Sequence, residues 1–290
     1  MRQSVTRGSL VLVAALAFGC AHMTQPETSA KAPAPAAEHI ARDAIASPVK
    51  PKVTSLPEAP HSALFVGNSF FYYNNSLHNH VGQLIRAAKL SDRFRGVSAT
   101  ISGSGMDWHN VESYFGPAMS AYSFDSKNNV TFNKLDKKFD VAIVMDCSQC
   151  PVNPQLKGVF HEYSKKNADT FRRHRATPIF FMSWAYEDVP TMTAQLAAAY
   201  TEEGNANDAL VIPAGLAFAK ALHKRPSLGL YAPDKRHPSL AGTYLAACTV
   251  VASLYGKTPE GNTYTADLDP ELARFLQSVA WETVREYYGK

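Results

Sequence analysis

Apolar positions fall along this chain in short solid runs separated by longer stretches of helical spacing. Ala63-Leu64-Phe65-Val66 is one such run, and it stops abruptly at Gly67-Asn68-Ser69. A continuous apolar run bounded by turn residues predicts a strand buried on both faces. Val97–Ile101, Phe139–Met145, Thr177–Met182 and Ala209–Ile212 predict four more strands, each running into polar or small residues at its carboxyl end. Leu77 to Leu90 places apolar residues at 77, 81, 84, 85 and 88, the spacing of one helix face. Further helices are predicted for Gln155 to about His174, Thr191 to about Glu203, Ala214–Lys224, Ser239–Tyr255 and Asp269–Tyr288. Ser239 is a natural cap for its helix. Asp107 is expected to open another helix that runs to about Tyr114. The segment Tyr122 to Lys138, polar and rich in Asn and Lys, interrupts the alternation and reads as an insertion carrying one short hairpin. Strands that alternate with helices predict right-handed crossovers and an α/β fold, a three-layer α/β/α sandwich. Its mostly parallel five-stranded sheet is expected in the flavodoxin-like order 2-1-3-4-5.

The first sixty residues do not share this pattern. Arg2 and Arg7 precede the apolar run Leu10–Ala17, which leads to Phe18-Gly19-Cys20. A basic start, a short apolar core and small residues beyond it describe a secretory signal peptide, expected over residues 1–20. The run is too short to span a bilayer. Gly19-Cys20 resembles a bacterial lipoprotein cleavage site, which implies lipidation at Cys20. Ordinary cleavage close by is the alternative. Residues 21–60 contain many Pro, Ala, Ser and Thr, and read as a tether with too little apolar surface to fold. Residues 61–290 are left for one folded domain. Together these features predict export, to the periplasm or as an outer-membrane lipoprotein, with the lipid anchor as the chain's only membrane attachment.

Composition narrows the class further. Of 290 residues, 46% are hydrophobic and 19% charged, and the formal net charge is +4. No basic stripe interleaves with aromatics, so nucleic acid is not an expected partner. Four cysteines occur. Cys20 belongs to the leader, and Cys248 sits in an apolar helical run as a buried thiol. Cys147 and Cys150 lie close enough for a local disulfide in an oxidising compartment. Free thiols, a redox pair or a metal site are the other readings. A zinc site needs a second ligand pair at motif spacing, and none is evident. His78 and His80, two apart on a helix, do not face each other. No metal and no cofactor are expected.

In open α/β sheets, ligands bind beyond the carboxyl ends of the strands. Ser69 follows the first strand there, Gly103 and Gly105 the second, Ser148 and Gln149 the third, and Trp184 the fourth. Asp234 and His237 share a late loop and are close enough in sequence for one tight turn to present both. A serine nucleophile needs a base to take its proton, and the base needs a group that fixes its tautomer. Ser69, His237 and Asp234 supply those three roles. The developing oxyanion needs donors, which the amides of Ser69 and a glycine of the second loop can offer. Trp184 and His109 read first as core or rim packing, with lining of an acyl or sugar pocket as the alternative. Trp108, Trp184 and Tyr186 are candidates for a platform on which a sugar ring stacks.

Gly67-Asn68-Ser69 near the folded start, and Asp234-Lys-Arg-His237-Pro-Ser near the end, resemble the SGNH (GDSL-like) hydrolase superfamily in a G-N-S variant. The resemblance covers residues 61 to 288. It implies a serine ester hydrolase with Ser69 as nucleophile, His237 as base and Asp234 as its partner. It implies Gly103 as the oxyanion glycine of the second block, with Gly105 as the alternative. The chain departs from the family in the third block, where an Asn is usual and Asp146-Cys-Ser-Gln149 stands instead. Gln149 and Asn68 are the candidates to replace that amide. The substrate implied is an acylated saccharide or a small ester. The rival reading is an SGNH-fold module that binds a glycan or envelope partner without catalysis, and a third is a thiol protein working through Cys147 and Cys150.

Overall fold

A computed structural model describes residues 45–119 and 121–290. The leader, Cys20 and the first part of the expected tether lie outside the described residues. The described residues fall in one compact unit.

Strands β1 (Ser62–Gly67), β2 (Arg95–Thr100), β5 (Val141–Val144), β6 (Thr177–Phe181) and β7 (Leu210–Ile212) form one sheet in the order β2-β1-β5-β6-β7. Every pairing is parallel. Counted along the sheet alone, this is the expected 2-1-3-4-5 order. The apolar run Leu64–Val66 and all of β5 are fully buried, because helices cover both faces. Pro178 sits in β6 before its pairing with β7 begins at Ile179, so its missing N–H interrupts no ladder on that side. The insertion forms an antiparallel hairpin of β3 (Tyr122–Phe124) and β4 (Val130–Phe132), apart from the main sheet.

The helices are α1 (Ser69–Tyr72), α2 (Leu77–Ala87), α3 (Lys157–Arg173), α4 (Met192–Ala206), α5 (Ala214–Lys224), α6 (Leu240–Tyr255) and α7 (Pro270–Tyr288). Helix α6 is the apolar hub: fourteen of its sixteen residues are buried, and it packs on α2, α5 and α7. Ser239 caps it, accepting from the Gly242 amide at 3.2 Å. A side chain at Gly242 would come within 2.3 Å of the Leu230 carbonyl, so only glycine lets the 228–238 loop lie this close to the start of α6.

Two expectations change. The segment 107–114 is not an α-helix. It forms 3-10 turns at Met106–Trp108 and Val111–Phe115, separated by His109 and by Asn110 in a non-helical conformation. Side-chain ties of His109, to Ser104 at 3.0 Å and Tyr114 at 2.9 Å, hold the bend. The carboxyl part of the segment read as tether packs on the domain. Asn205 on α4 donates to the Lys50 carbonyl and accepts from the Lys52 amide, Tyr255 donates to the Pro60 carbonyl, and Val53 and Leu56 pack against the core. Composition measures apolar content, but this strap is held largely by its backbone groups.

Candidate active site

Gly67 ends β1, and Asn68 caps the one-turn helix α1, its Oδ1 accepting from the Phe70 amide at 3.1 Å. Its Nδ2 donates to the carbonyls of Ser104 (3.0 Å) and Asp146 (3.3 Å). This one buried side chain therefore ties together the loops that follow β1, β2 and β5. Both of its amide protons are engaged, so Asn68 has no donor left for an oxyanion. Ser69 is the first residue of α1, and by position its amide has no partner inside the helix.

Ser69 Oγ lies 2.8 Å from His237 Nε2, and His237 Nδ1 is hydrogen-bonded to Asp234 Oδ2. Asp234 Oδ1 accepts from the amides of Arg236 and His237, both at 3.0 Å. Those bonds, led by the one from the imidazole, hold the Asp234 carboxyl down at about 2. The carboxylate is thus charged near neutrality, and His237 carries its proton on Nδ1. Nε2 is left to accept from the Ser69 hydroxyl. Tyr73 stacks on the imidazole at 4.2 Å, nearly parallel, and Phe70 meets its edge at 5.5 Å.

The loop that carries Asp234 and His237 is clamped from two sides. Behind it, Trp184 donates to the Arg236 carbonyl at 2.9 Å, the Glu187 amide to the Lys235 carbonyl at 3.0 Å, and Tyr231 to the Ala185 carbonyl at 2.8 Å. From the front, Asn74 donates to the Pro238 carbonyl at 2.8 Å and to Thr243 at 2.9 Å. Asn74, Asn75 and Ser76 all have positive φ, of 51°, 65° and 68°. Three such residues in a row store backbone strain beside the nucleophile's helix. Asn74 is a positioning residue that the sequence does not single out. Its place directly after an aromatic stretch that begins at the nucleophile was the available signal.

Other candidates are placed differently from expectation. Trp184 does not line a pocket: it is 1% exposed and stacked between Phe70 (4.8 Å) and Phe218 (4.3 Å). Tyr186 is buried as well, leaving Trp108, 61% exposed on the loop after β2, as the one open member of the suggested platform. His109 is buried and burial lowers its pKa, so it is a neutral packing residue. Gly103 lies at the tip of a turn with φ of 70° and open space where a side chain would be. Gly105 is crowded, with a side chain there falling 2.9 Å from Asp146 Oδ1, and it adjoins the Ser104 carbonyl that Asn68 holds.

Gln149 is exposed on a turn that Cys147 and Cys150 close as a disulfide. Asp146, not Gln149, is the buried group of the third loop. Its Oδ1 accepts from the amides of Met106 and Cys147, both at 2.8 Å, while its Oδ2 is buried with no hydrogen-bond partner. Burial pushes this carboxyl up to about 6. Donor atoms of Asp146, Cys147 and Cys150 lie within 4.8 Å of one another, but the two sulfurs are bonded to each other and offer no thiolate. Cys248 is a buried free thiol whose pKa burial raises.

No family sequence model matches the chain, and no curated protein matches it. Solved structures do. A DUF4886 family protein from Bacteroides uniformis superposes with a TM-score of 0.52 at 18% identity, over 76% of this chain and 93% of that one. A candidate SGNH hydrolase from Slackia heliotrinireducens gives 0.50 at 18% identity, over 67% and 98%. An acetyl xylan esterase from Geobacillus stearothermophilus gives 0.50 at 13% identity, over 67% and 94%. The chain has the fold of the SGNH-type hydrolases.

Proposed function

We propose that this protein is an exported ester hydrolase in which Ser69 is the nucleophile. The observation that carries the reading is the hydrogen-bonded line from Ser69 Oγ through His237 to Asp234 at the carboxyl edge of the sheet. Ser69 Oγ attacks the ester carbonyl as its proton passes to His237 Nε2. The carbonyl oxygen becomes an oxyanion, met by the Ser69 amide and an amide of the 103–105 loop. Collapse breaks the ester bond, and the proton on Nε2 goes to the departing alkoxide. Water, deprotonated by the same nitrogen, then attacks the acyl-enzyme and frees Ser69 and the acid. Asp234 stays ionised and holds the imidazolium in place.

The substrate class we propose is an acylated saccharide or small ester. The likeness to an acetyl xylan esterase supports it, as does exposed Trp108 near the loops that meet at Ser69. The basic and apolar leader ending at Gly19-Cys20 supports export, with lipidation at Cys20. A second reading, a glycan-binding module without turnover, is favoured by one observation. Where the family has an amide, this chain buries a carboxyl, and an ionised Asp146 would oppose a nearby oxyanion. Rates on acetyl-xylan, acetylated peptidoglycan and nitrophenyl esters, compared with Ser69→Ala, decide between them. Turnover lost in the variant supports the hydrolase. Saccharide binding without turnover supports the module.

A further inference from the structure

The β3–β4 hairpin stands away from the body of the domain, and every residue of both strands is exposed. The register pairs Tyr122 with Phe132 and Phe124 with Val130. Opposed residues, and residues two apart, share a face of a sheet, so these four side chains form one apolar surface. Ser123 and Thr131 lie on the other. Each of the four is between 47% and 63% exposed, and Leu135 beyond the hairpin adds 49%. A cluster of large apolar side chains left in water marks a contact surface, whereas singly exposed ones are ordinary. An isolated two-stranded hairpin is barely stable in water, which gives this face a further reason to be covered.

The position of the hairpin says what covers it. Arg175, just ahead of β6, donates to the Asp136 carbonyl at 3.2 Å, and Arg95, which opens β2, donates to the Lys138 carbonyl. The base of the hairpin thus sits at the amino ends of β2, β5 and β6. Ser69 and His237 lie at the carboxyl ends, across strands of four to six residues. At about 3.3 Å per residue the two edges are roughly 13–20 Å apart, so a sugar stacked on these aromatics is out of reach of the Ser69 hydroxyl. Charge narrows the occupant further. Within residues 121–138, Lys127, Lys134 and Lys137 are exposed and Arg175 lies beside them, against Asp125, Asp136 and the Asp140 that pairs with Lys137, while Lys138 is buried and donates to the Gly116 carbonyl. Asp125 accepts from the amides of Lys127 and Asn129 in the turn and these bonds keep it ionised, so the exposed charges leave a small positive excess. Aromatic side chains with lysines around them suit the headgroup layer of an anionic bilayer. The leader points the same way, since a chain anchored at Cys20 reaches the described domain within 25 residues, at most about 90 Å.

We propose that the Tyr122–Phe132 hairpin is a membrane-docking element. It lays its aromatic face into an anionic lipid surface and turns the Ser69 edge of the sheet away from the bilayer. This contact is additional to any anchor at Cys20 and does not depend on whether Ser69 is a nucleophile.

The test uses residues 21–290, which keep the whole compact unit and lack both the leader and Cys20. The protein is sedimented with vesicles of phosphatidylcholine and phosphatidylglycerol, beside the double variant Phe124→Ser, Phe132→Ser. The unaltered protein is expected to bind, less so to pure phosphatidylcholine or at high salt. The double variant should bind on the order of tenfold less or weaker, with an unchanged melting temperature, because both rings are already in water. Equal behaviour of the two proteins, bound or unbound, overturns the proposal. So does a dimer in sedimentation velocity that the same substitutions convert to monomer, which would assign the face to a second copy of the chain.

Discussion

Asp234→Asn separates the two jobs that the geometry gives this carboxylate. One oxygen accepts two backbone amides and shapes the 234–237 turn, and the other accepts the imidazole N–H. Asparagine can keep the first job through its oxygen. It must then present its NH2 to Nδ1, which drives the imidazole proton to Nε2, where it faces Ser69. In that tautomer His237 cannot take the Ser69 proton. A loss of up to ~10⁴ in kcat is expected, about 5.5 kcal/mol in the barrier. Fold stability should barely move, because the Asp234 side chain is 45% exposed and the turn bonds survive. Asp234→Ala removes both jobs and should add a melting penalty from two lost hydrogen bonds of about 1 kcal/mol each. The assay is the initial rate on a nitrophenyl ester, with a thermal melt for each variant. If Asp234→Asn stays within about tenfold of the unaltered protein while Asp234→Ala does not, the carboxylate only caps the turn and the tautomer argument fails.

Asn74→Ala should lower the melting temperature and the rate together. It removes the bonds to Pro238 and Thr243 and leaves a positive φ on a residue poorly suited to it, a cost of roughly 2–3 kcal/mol by chemical denaturation. Asp146 supplies a pH test. Its folded pKa, about 6, lies above the ordinary 3.8, so its contribution is fully present below 3.8 and is lost as pH rises through 6. From pH 4 to pH 8 the unfolding free energy should therefore fall by up to ~3 kcal/mol more than in Asp146→Asn, and parallel curves for the two would refute burial as the cause. Cys150→Ser opens a short disulfide loop, and chain entropy gives a loss near ~2 kcal/mol, measured by melts with and without reductant.

The sheet was legible in the sequence because a strand covered on both faces has to be apolar throughout, as Ala63–Val66 is. Its order followed from alternation with helices. Ser69 was legible as a residue at the carboxyl end of a strand, whereas Asp234 and His237, in the loop between α5 and α6, were legible from their three-residue spacing and from the resemblance it carries. What escaped depended on contacts between distant segments. Trp184 at a strand end could have lined a pocket or filled the core, and only the rings of Phe70 and Phe218 on its two faces settle that. The 106–115 stretch has helical composition, but His109 bonds across to Ser104 and Tyr114 and bends it. Asn74 acts on a loop far along the chain, a relation without a local signature. Asp146 read as an ordinary polar residue at a strand end, and its burial follows from two amides and the close pass of Gly105.

Labelling with a fluorophosphonate probe tests the nucleophile most directly, because it reports attack by a single activated hydroxyl and needs no knowledge of the natural ester. The folded protein should be labelled on Ser69, mapped by peptide mass spectrometry, and labelling should vanish in Ser69→Ala and fall sharply in His237→Ala. A folded protein that takes no label, or one whose label persists in Ser69→Ala, would contradict the assignment of Ser69 as the attacking group.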